Sequence, residues 1–158
     1  MPIRVDSAAR YLCERSRWSL SNLELQKLLY LAQVEHAALN DGAQLIDTVF
    51  QAWDYGPVIP LLYRKLRIFG ADAVDDVFYE ARNIRPGSPS RQTLDKVWTD
   101  FGDVNPGELI EVSHWDRGAW ARYYEPGVRG ITIPHEAVIE EAENRRRYPD
   151  EWDEVAAC

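Results

Sequence analysis

The chain has 158 residues, enough for one domain that buries its own core without disulfides or metals. Its 26 acidic and 18 basic residues give a net charge of −8, the wrong sign for nucleic-acid binding through the whole surface. Cys13 and Cys158 lie near opposite ends, so we expect no disulfide framework and a reducing, cytoplasmic environment. No signal peptide and no membrane-spanning run is recognisable, so no membrane partner is expected.

The first two predicted helices differ in how strongly the sequence marks them. Residues 6–15 have one apolar stripe, and Asp6 is a candidate N-cap. The second helix begins at Ser21, which is spaced from Glu24 as in a capping box, and it ends at Gly42. Its apolar side chains nearly surround the axis, which predicts that this helix is the centre of the core. The narrow polar remainder consists of Gln26, Lys27, Tyr30 and Gln33.

Residues 45–55 are rich in β-branched and aromatic side chains, which predicts an extended segment. A single strand is not stable alone, so either a partner strand comes from elsewhere or the segment packs on helices. Gly56 and Pro57 break the strand pattern, and either Pro57 or Pro60 opens a third helix that ends at Gly70. The outer side of this helix carries a basic group of three residues: Arg64, Lys65 and Arg67.

The second half of the chain alternates loops with helix starts. The acidic and loop-forming composition of residues 71–91 predicts an exposed connection with a short helical turn. Ser88 and Asn105 are each followed by proline, which marks two helix starts, and a last helix follows Pro134. We therefore predict a mainly α, compact single domain of five or six helices with a small β element near residues 45–54. The predicted domain covers residues 1–143, and residues 144–158 form a charged tail.

The sequence offers little catalytic chemistry. The histidines and cysteines are too scattered for a metal site, and no phosphate-binding or nucleophile motif occurs, so neither a catalytic residue nor a cofactor is predicted. His114 with Asp116 is the most enzyme-like pair, because a carboxylate-oriented histidine is suited to general base catalysis in a small hydrolase or transferase. The alternative is that His114 locks a turn by a hydrogen bond to a neighbouring backbone group.

The basic group on the third helix also has two interpretations. It fits a docking patch for an acidic protein partner, or a phosphate-contacting face of a DNA-binding transcriptional regulator. The net charge favours protein contact. The candidate partner-binding residues are Gln26, Tyr30, Gln33, Trp53, Asp54, Tyr55, Arg64, Lys65 and Arg67.

Four blocks of sequence together resemble the Panacea domain, the SocA-like family of antitoxins, which is often associated with phages and mobile elements. They are L-Q-K-L-L-Y-L-A-Q at 25–33, F-Q-A-W-D-Y-G-P-V-I-P at 50–60, L-I-E-V-S-H at 109–114 with Trp120, and I-T-I at 131–133. The resemblance runs from about residue 5 to residue 143. The motif positions are Leu25, Lys27, Leu28, Tyr30, Trp53, Tyr55, Gly56, Pro57, His114 and Trp120.

The resemblance implies a non-enzymatic antitoxin of a type II-like toxin–antitoxin system. Such a protein neutralises a cognate protein toxin by direct binding. Some members of the family act as adaptors that deliver the toxin to an ATP-dependent protease. The sequence leaves the toxin and the oligomeric state open.

Overall fold

The computed structural model describes residues 2–149 and 151, which form seven α-helices and a three-stranded sheet. The elements in chain order are α1 (Val5–Arg15), α2 (Asn22–Leu39), β1 (Phe50–Trp53), β2 (Gly56–Val58), α3 (Pro60–Leu66), α4 (Pro89–Phe101), α5 (Pro106–Ser113), α6 (Ala119–Tyr123), β3 (Thr132–Ile133) and α7 (His135–Arg147). A 3₁₀ turn at Arg67–Phe69 extends α3. The predicted mainly α fold with a small β element is confirmed. The predicted count of five or six helices is wrong, because α6 is too short to show a helical period.

Helix α2 is the centre of the core, as predicted. It packs against α1, α3, α4, α5, α7 and β2, and most of its residues are buried. Its capping box is present: the Ser21 hydroxyl accepts from the Glu24 N–H at 3.2 Å, and the Glu24 carboxylate accepts from the Ser21 N–H at 3.2 Å.

The small sheet has the strand order β2-β1-β3, with β1 antiparallel to both neighbours. A two-residue turn, Asp54 and Tyr55, joins β1 to β2, so that Trp53 pairs with Gly56. Strand β3 then pairs Ile133 with Phe50, so partner strands do come from elsewhere. The predicted extended segment at 45–55 is longer than β1, and residues 56–58, expected to turn directly into a helix, form β2.

Two local predictions are corrected. Asp6 does not cap α1, because the helix begins at Val5; its carboxylate instead accepts from Lys65 Nζ at 2.9 Å and from the Glu80 N–H at 3.2 Å. The connection from 71 to 88 contains no helical turn, yet Val74, Phe78 and Ile84 are buried and hold it against the core. The predicted caps of α4 and α5, Ser88 and Asn105, are confirmed.

Helix α7 continues to Arg147, past the predicted boundary at 143, and Arg145 is buried. The division into a domain of 1–143 and a tail of 144–158 therefore stays a prediction. Residues 155–158 of the predicted tail lie outside the described residues. Among the described helices, none is long and apolar enough to cross a membrane.

Candidate partner-binding site

The polar stripe of α2 faces inward. Gln26 and Gln33, predicted as partner contacts, are 1% and 2% exposed. The Gln26 side-chain oxygen accepts from the Ile59 N–H at 2.8 Å, and that of Gln33 accepts from the N–H groups of Leu45 at 3.1 Å and Ile46 at 3.0 Å. Each amide therefore satisfies buried backbone groups and fixes the chain on either side of the hairpin, away from any exposed surface.

Lys27 lies directly below the β1–β2 hairpin. Its side chain is buried, and Nζ donates a hydrogen bond to the carbonyl of Pro57 at 3.0 Å. Burial lowers the pKa of this lysine to about 7. Gly56 approaches it closely: a Cβ there would lie 2.9 Å from Lys27 Cε and 2.7 Å from Ser113 Oγ, and its φ is +114°. Only glycine fits this junction.

Tyr30 is also buried and anchors α7 to α2. Its hydroxyl donates to Glu141 Oε1 at 2.6 Å, and the same oxygen accepts from the Ala119 N–H at 2.8 Å. Arg145 Nε donates to Glu141 Oε2 at 2.8 Å. Burial, with the adjacent Glu141 carboxylate, raises the pKa of Tyr30 well above its usual value. Sequence reasoning missed Glu141 and Arg145, although their i,i+4 spacing was a signal for an ion pair.

Three stacked rings also support the hairpin. His114 stacks on Trp120 with ring centroids 3.6 Å apart, and Trp120 stacks on Tyr124 at 4.4 Å. Trp120 Nε1 donates to the carbonyl of Trp53 at 2.7 Å, and the Tyr124 hydroxyl donates to Asp54 Oδ1 at 2.6 Å. The hairpin tip is thereby fixed by side chains from α6 and its C-terminal end.

His114 is part of this support and does not pair with Asp116. No hydrogen bond joins the two side chains in the described structure, and Asp116 is exposed. The pKa of His114 is lowered by burial and by the charge of Lys27, against a hydrogen bond to the Tyr55 backbone. The interpretation that His114 locks a turn is therefore supported by a backbone partner, Tyr55. His114 and Asp116 do not form the hydrogen-bonded pair that general base catalysis would use. Within the described residues, no three His, Cys, Asp or Glu side chains cluster as a metal site.

The outer side of the hairpin and of α3 carries exposed apolar side chains. Tyr55 is 68%, Leu61 67% and Ile68 83% exposed. The ring of the half-buried Trp53 meets that of Tyr63 edge-on, with centroids 4.9 Å apart, and so connects the hairpin to α3. We call Trp53, Tyr55, Leu61, Tyr63 and Ile68 the hairpin–α3 surface.

Basic side chains accompany this surface. Arg64, Lys65 and Arg67 are exposed, which confirms that they lie on the outer side of the helix. Lys65 pairs with Asp6 at 2.9 Å. Arg64 and Arg67 make no ion pair within the described part of the chain. Two guanidinium groups therefore remain available beside the apolar residues.

A model of the family described as "Antitoxin SocA-like, Panacea domain" matches residues 25–121 of the chain. The chain belongs to this family. It is also similar to "Antitoxin SocA" of Caulobacter vibrioides (strain NA1000 / CB15N), with 33% identity over 113 residues. That match covers 64% of this chain and 58% of the relative, so the chain spans little more than half of the relative's length. No solved structure matches the chain.

Most of the residues predicted as Panacea-domain motif positions lie at or around the β1–β2 hairpin. Leu25 and Leu28 belong to the core under α2, whereas Lys27, Gly56 and Pro57 form the contact between α2 and the hairpin. The remaining motif positions brace or form the hairpin: Tyr30, Trp53, Tyr55, His114 and Trp120. In this chain these positions therefore form and support the β1–β2 hairpin, and Tyr55 is exposed at its tip.

Proposed function

We propose that this Panacea-domain protein is an antitoxin that neutralises a cognate protein toxin by direct binding, without a catalytic step of its own. Membership of the SocA-like antitoxin family supports the role. The proposed contact is the hairpin–α3 surface, and the observation that carries it is the group of exposed apolar side chains on Tyr55, Leu61 and Ile68. Clustered exposed apolar residues are typical of protein interaction sites.

The support under the hairpin favours tight binding. Aromatic side chains contribute most to interface energies when they are held in place before the partner arrives. Trp53 is held through its carbonyl by Trp120, and Asp54 is held by Tyr124. The tip therefore loses little conformational freedom on binding. The buried Gln26, Tyr30 and Gln33 contribute in the same way, by fixing the scaffold and not by touching the toxin.

The charges on this surface indicate which charges the toxin should carry where it binds. Arg64 and Arg67 are exposed without ion-pair partners in the described structure, in a protein whose net charge is −8. A toxin that places carboxylates next to an apolar patch would be attracted to these arginines. The rest of the acidic surface would repel it from other orientations.

The experiment compares two matched variants, Leu61→Asp and Leu39→Asp. Both leucines are exposed helix residues, at 67% and 54%, and Leu39 lies about 18 Å further along α2 than Lys27. The toxin tested is the product of the neighbouring reading frame. In co-expression and pull-down, Leu61→Asp should lose protection and binding while Leu39→Asp keeps both. Equal protection by the two variants would refute this surface as the contact.

The second part of the proposal is that the bound toxin is passed to an ATP-dependent protease. Toxin lifetime is measured with the antitoxin present, in cells with and without the protease. Delivery predicts a shorter lifetime only when both proteins are present. An unchanged lifetime with protection intact would mean that the antitoxin acts by covering the toxin.

A further inference from the structure

A cavity of about 420 Å³ lies between the N-terminal segment, the start of α4 and His36 of α2. Among the described residues, three arginines line it, Arg4, Arg82 and Arg85, and no aspartate or glutamate does. In a chain with 26 acidic and 18 basic residues, a cavity whose described charged residues are all arginines is unexpected. It is the environment that an anionic ligand needs.

Ser90 provides polar groups inside this cavity. The residue is only 8% exposed and lines the cavity, and its hydroxyl has no hydrogen-bond partner within the described part of the chain. It is the second residue of the 13-residue α4, so its N–H has no intrahelical acceptor. The neighbouring cap, Ser88, is already used by the Arg91 N–H at 3.3 Å. The hydroxyl and the N–H of Ser90 are therefore both left for a ligand at a helix N-terminus.

The arginines are held near this point by the preceding loop. The Arg82 N–H donates to Ser7 Oγ at 2.9 Å, and Arg91 Nη1 donates to the carbonyl of the buried Ile84 at 3.2 Å. Neither Arg82 nor Arg85 forms an ion pair with a described residue, and Arg4 has only a long, exposed contact of 3.6 Å with Glu80. The guanidinium groups are therefore not neutralised by the part of the chain that the structure describes.

We propose that this cavity binds a small phosphorylated ligand, with its phosphate at Ser90 and at the guanidinium groups of Arg82 and Arg85. A dianionic phosphate matches both helix N–H donors and arginine forks. The cavity volume is within the range of small-molecule sites, and Ile3 and Ile84 provide apolar wall for the rest of the ligand. Because Ser90 is recessed, a protruding terminal phosphate reaches it and the phosphodiester of a duplex does not.

The binding test uses the whole chain and isothermal titration calorimetry at constant ionic strength. The probes are inorganic phosphate, AMP, adenosine and a short DNA duplex. The proposal predicts that AMP and inorganic phosphate bind and compete, and that adenosine and the duplex do not. It is overturned if AMP binds no better than adenosine, or if the duplex binds and AMP does not.

The variants locate the binding. Ser90→Asp places a carboxylate where the phosphate would sit, and acidic residues are favourable in a first helical turn, so the fold should persist. It should abolish AMP binding, and Arg82→Ala with Arg85→Ala should weaken it roughly tenfold or more. The control, Arg146→Ala with Arg147→Ala, removes the same charge from exposed residues that do not line the cavity. Equal loss in the control would overturn the site.

Two further comparisons keep the test decisive. If Ser90→Asp fails to fold, the arginine pair still decides, because both side chains are exposed and unpaired in the described structure. The cavity shares no residue with the hairpin–α3 surface. Leu61→Asp should therefore leave AMP binding unchanged, so that the antitoxin proposal and this one succeed or fail separately.

Discussion

Lys27 on α2 donates from Nζ to the carbonyl of Pro57 at 3.0 Å and thereby joins the central helix to the hairpin. The ammonium group is buried, and no carboxylate bonds to it among the described residues. Burial without a counter-charge explains why its pKa falls to about 7. The contact between the core and the proposed toxin-binding surface therefore depends on a group that titrates near neutral pH.

Stability should rise with pH above 7 because of Lys27. Its pKa is about 7 in the folded chain and 10.5 when unperturbed, so between these values the unfolded chain binds more protons. From pH 7 to about pH 8.5 this difference adds about 1.5 kcal/mol to the free energy of unfolding. Urea unfolding at the two pH values measures the rise.

Lys27→Met is the matched variant for that measurement, because it keeps the length of the side chain and removes the titrating group. Its free energy of unfolding should change much less over the same pH interval, because the group that causes the rise is gone. The other titrating groups account for any change that remains. A rise as large as that of the unsubstituted chain would show that Lys27 is not the group responsible.

Gly56→Ala should destabilise the protein by roughly 2–4 kcal/mol. The new methyl group would lie 2.7 Å from Ser113 Oγ and 2.9 Å from Lys27 Cε, at a φ of +114°. Gly87→Ala is the control: its φ is also positive, at +77°, but no atom of the described residues lies within 4 Å of the added atom. It should cost only about 1 kcal/mol, from backbone strain alone. Equal losses in thermal or urea unfolding would contradict the packing argument.

The parts of the fold that follow from local chemistry were predictable. The capping box of Ser21 and the caps at Ser88 and Asn105 depend on residues three positions apart, and all three form. The burial of the polar stripe of α2 was harder to predict, since the hydrogen-bond partners of these side chains are distant in sequence. Gln26 bonds to Ile59 and Tyr30 to Glu141, 33 and 111 residues later. Helical period shows that a polar stripe exists, but not that it is buried.

The candidate surface was predictable only in part. Tyr55 was identified because it precedes a glycine–proline break, and it is exposed at the turn. Leu61 and Ile68 carry no such signal, because an apolar residue in a short helix is normally assigned to the core. Their exposure depends on which side of α3 meets α2, and that is decided by tertiary packing around Leu62 and Leu66.

Glu141→Ala should destabilise the protein by about 3–5 kcal/mol, because it removes the carboxylate from a buried guanidinium and from the Tyr30 hydroxyl. The adjacent Glu140 provides the control, since its ion pair with Arg122 is exposed. Glu140→Ala should change the free energy of unfolding by less than about 1 kcal/mol. The difference between the two variants in urea unfolding measures the buried network, and comparable small effects would contradict its importance.

Trp120→Phe should loosen the hairpin while leaving the ring stack largely in place. The phenyl ring still packs between His114 and Tyr124, but the hydrogen bond from Nε1 to the Trp53 carbonyl, 2.7 Å long, is lost. We expect a loss of about 1 kcal/mol and faster amide hydrogen exchange in residues 50–58.

Trp98→Phe is the matched control for the Trp120 variant. Trp98 is half-buried on α4, and its ring nitrogen donates no hydrogen bond within the described structure. Exchange in residues 50–58 should be unchanged in this variant. If toxin binds the hairpin–α3 surface, only Trp120→Phe should also weaken toxin affinity, because a mobile tip must be ordered on binding. Faster exchange with unchanged affinity would confirm the support of the hairpin by Trp120 and place the toxin contact elsewhere.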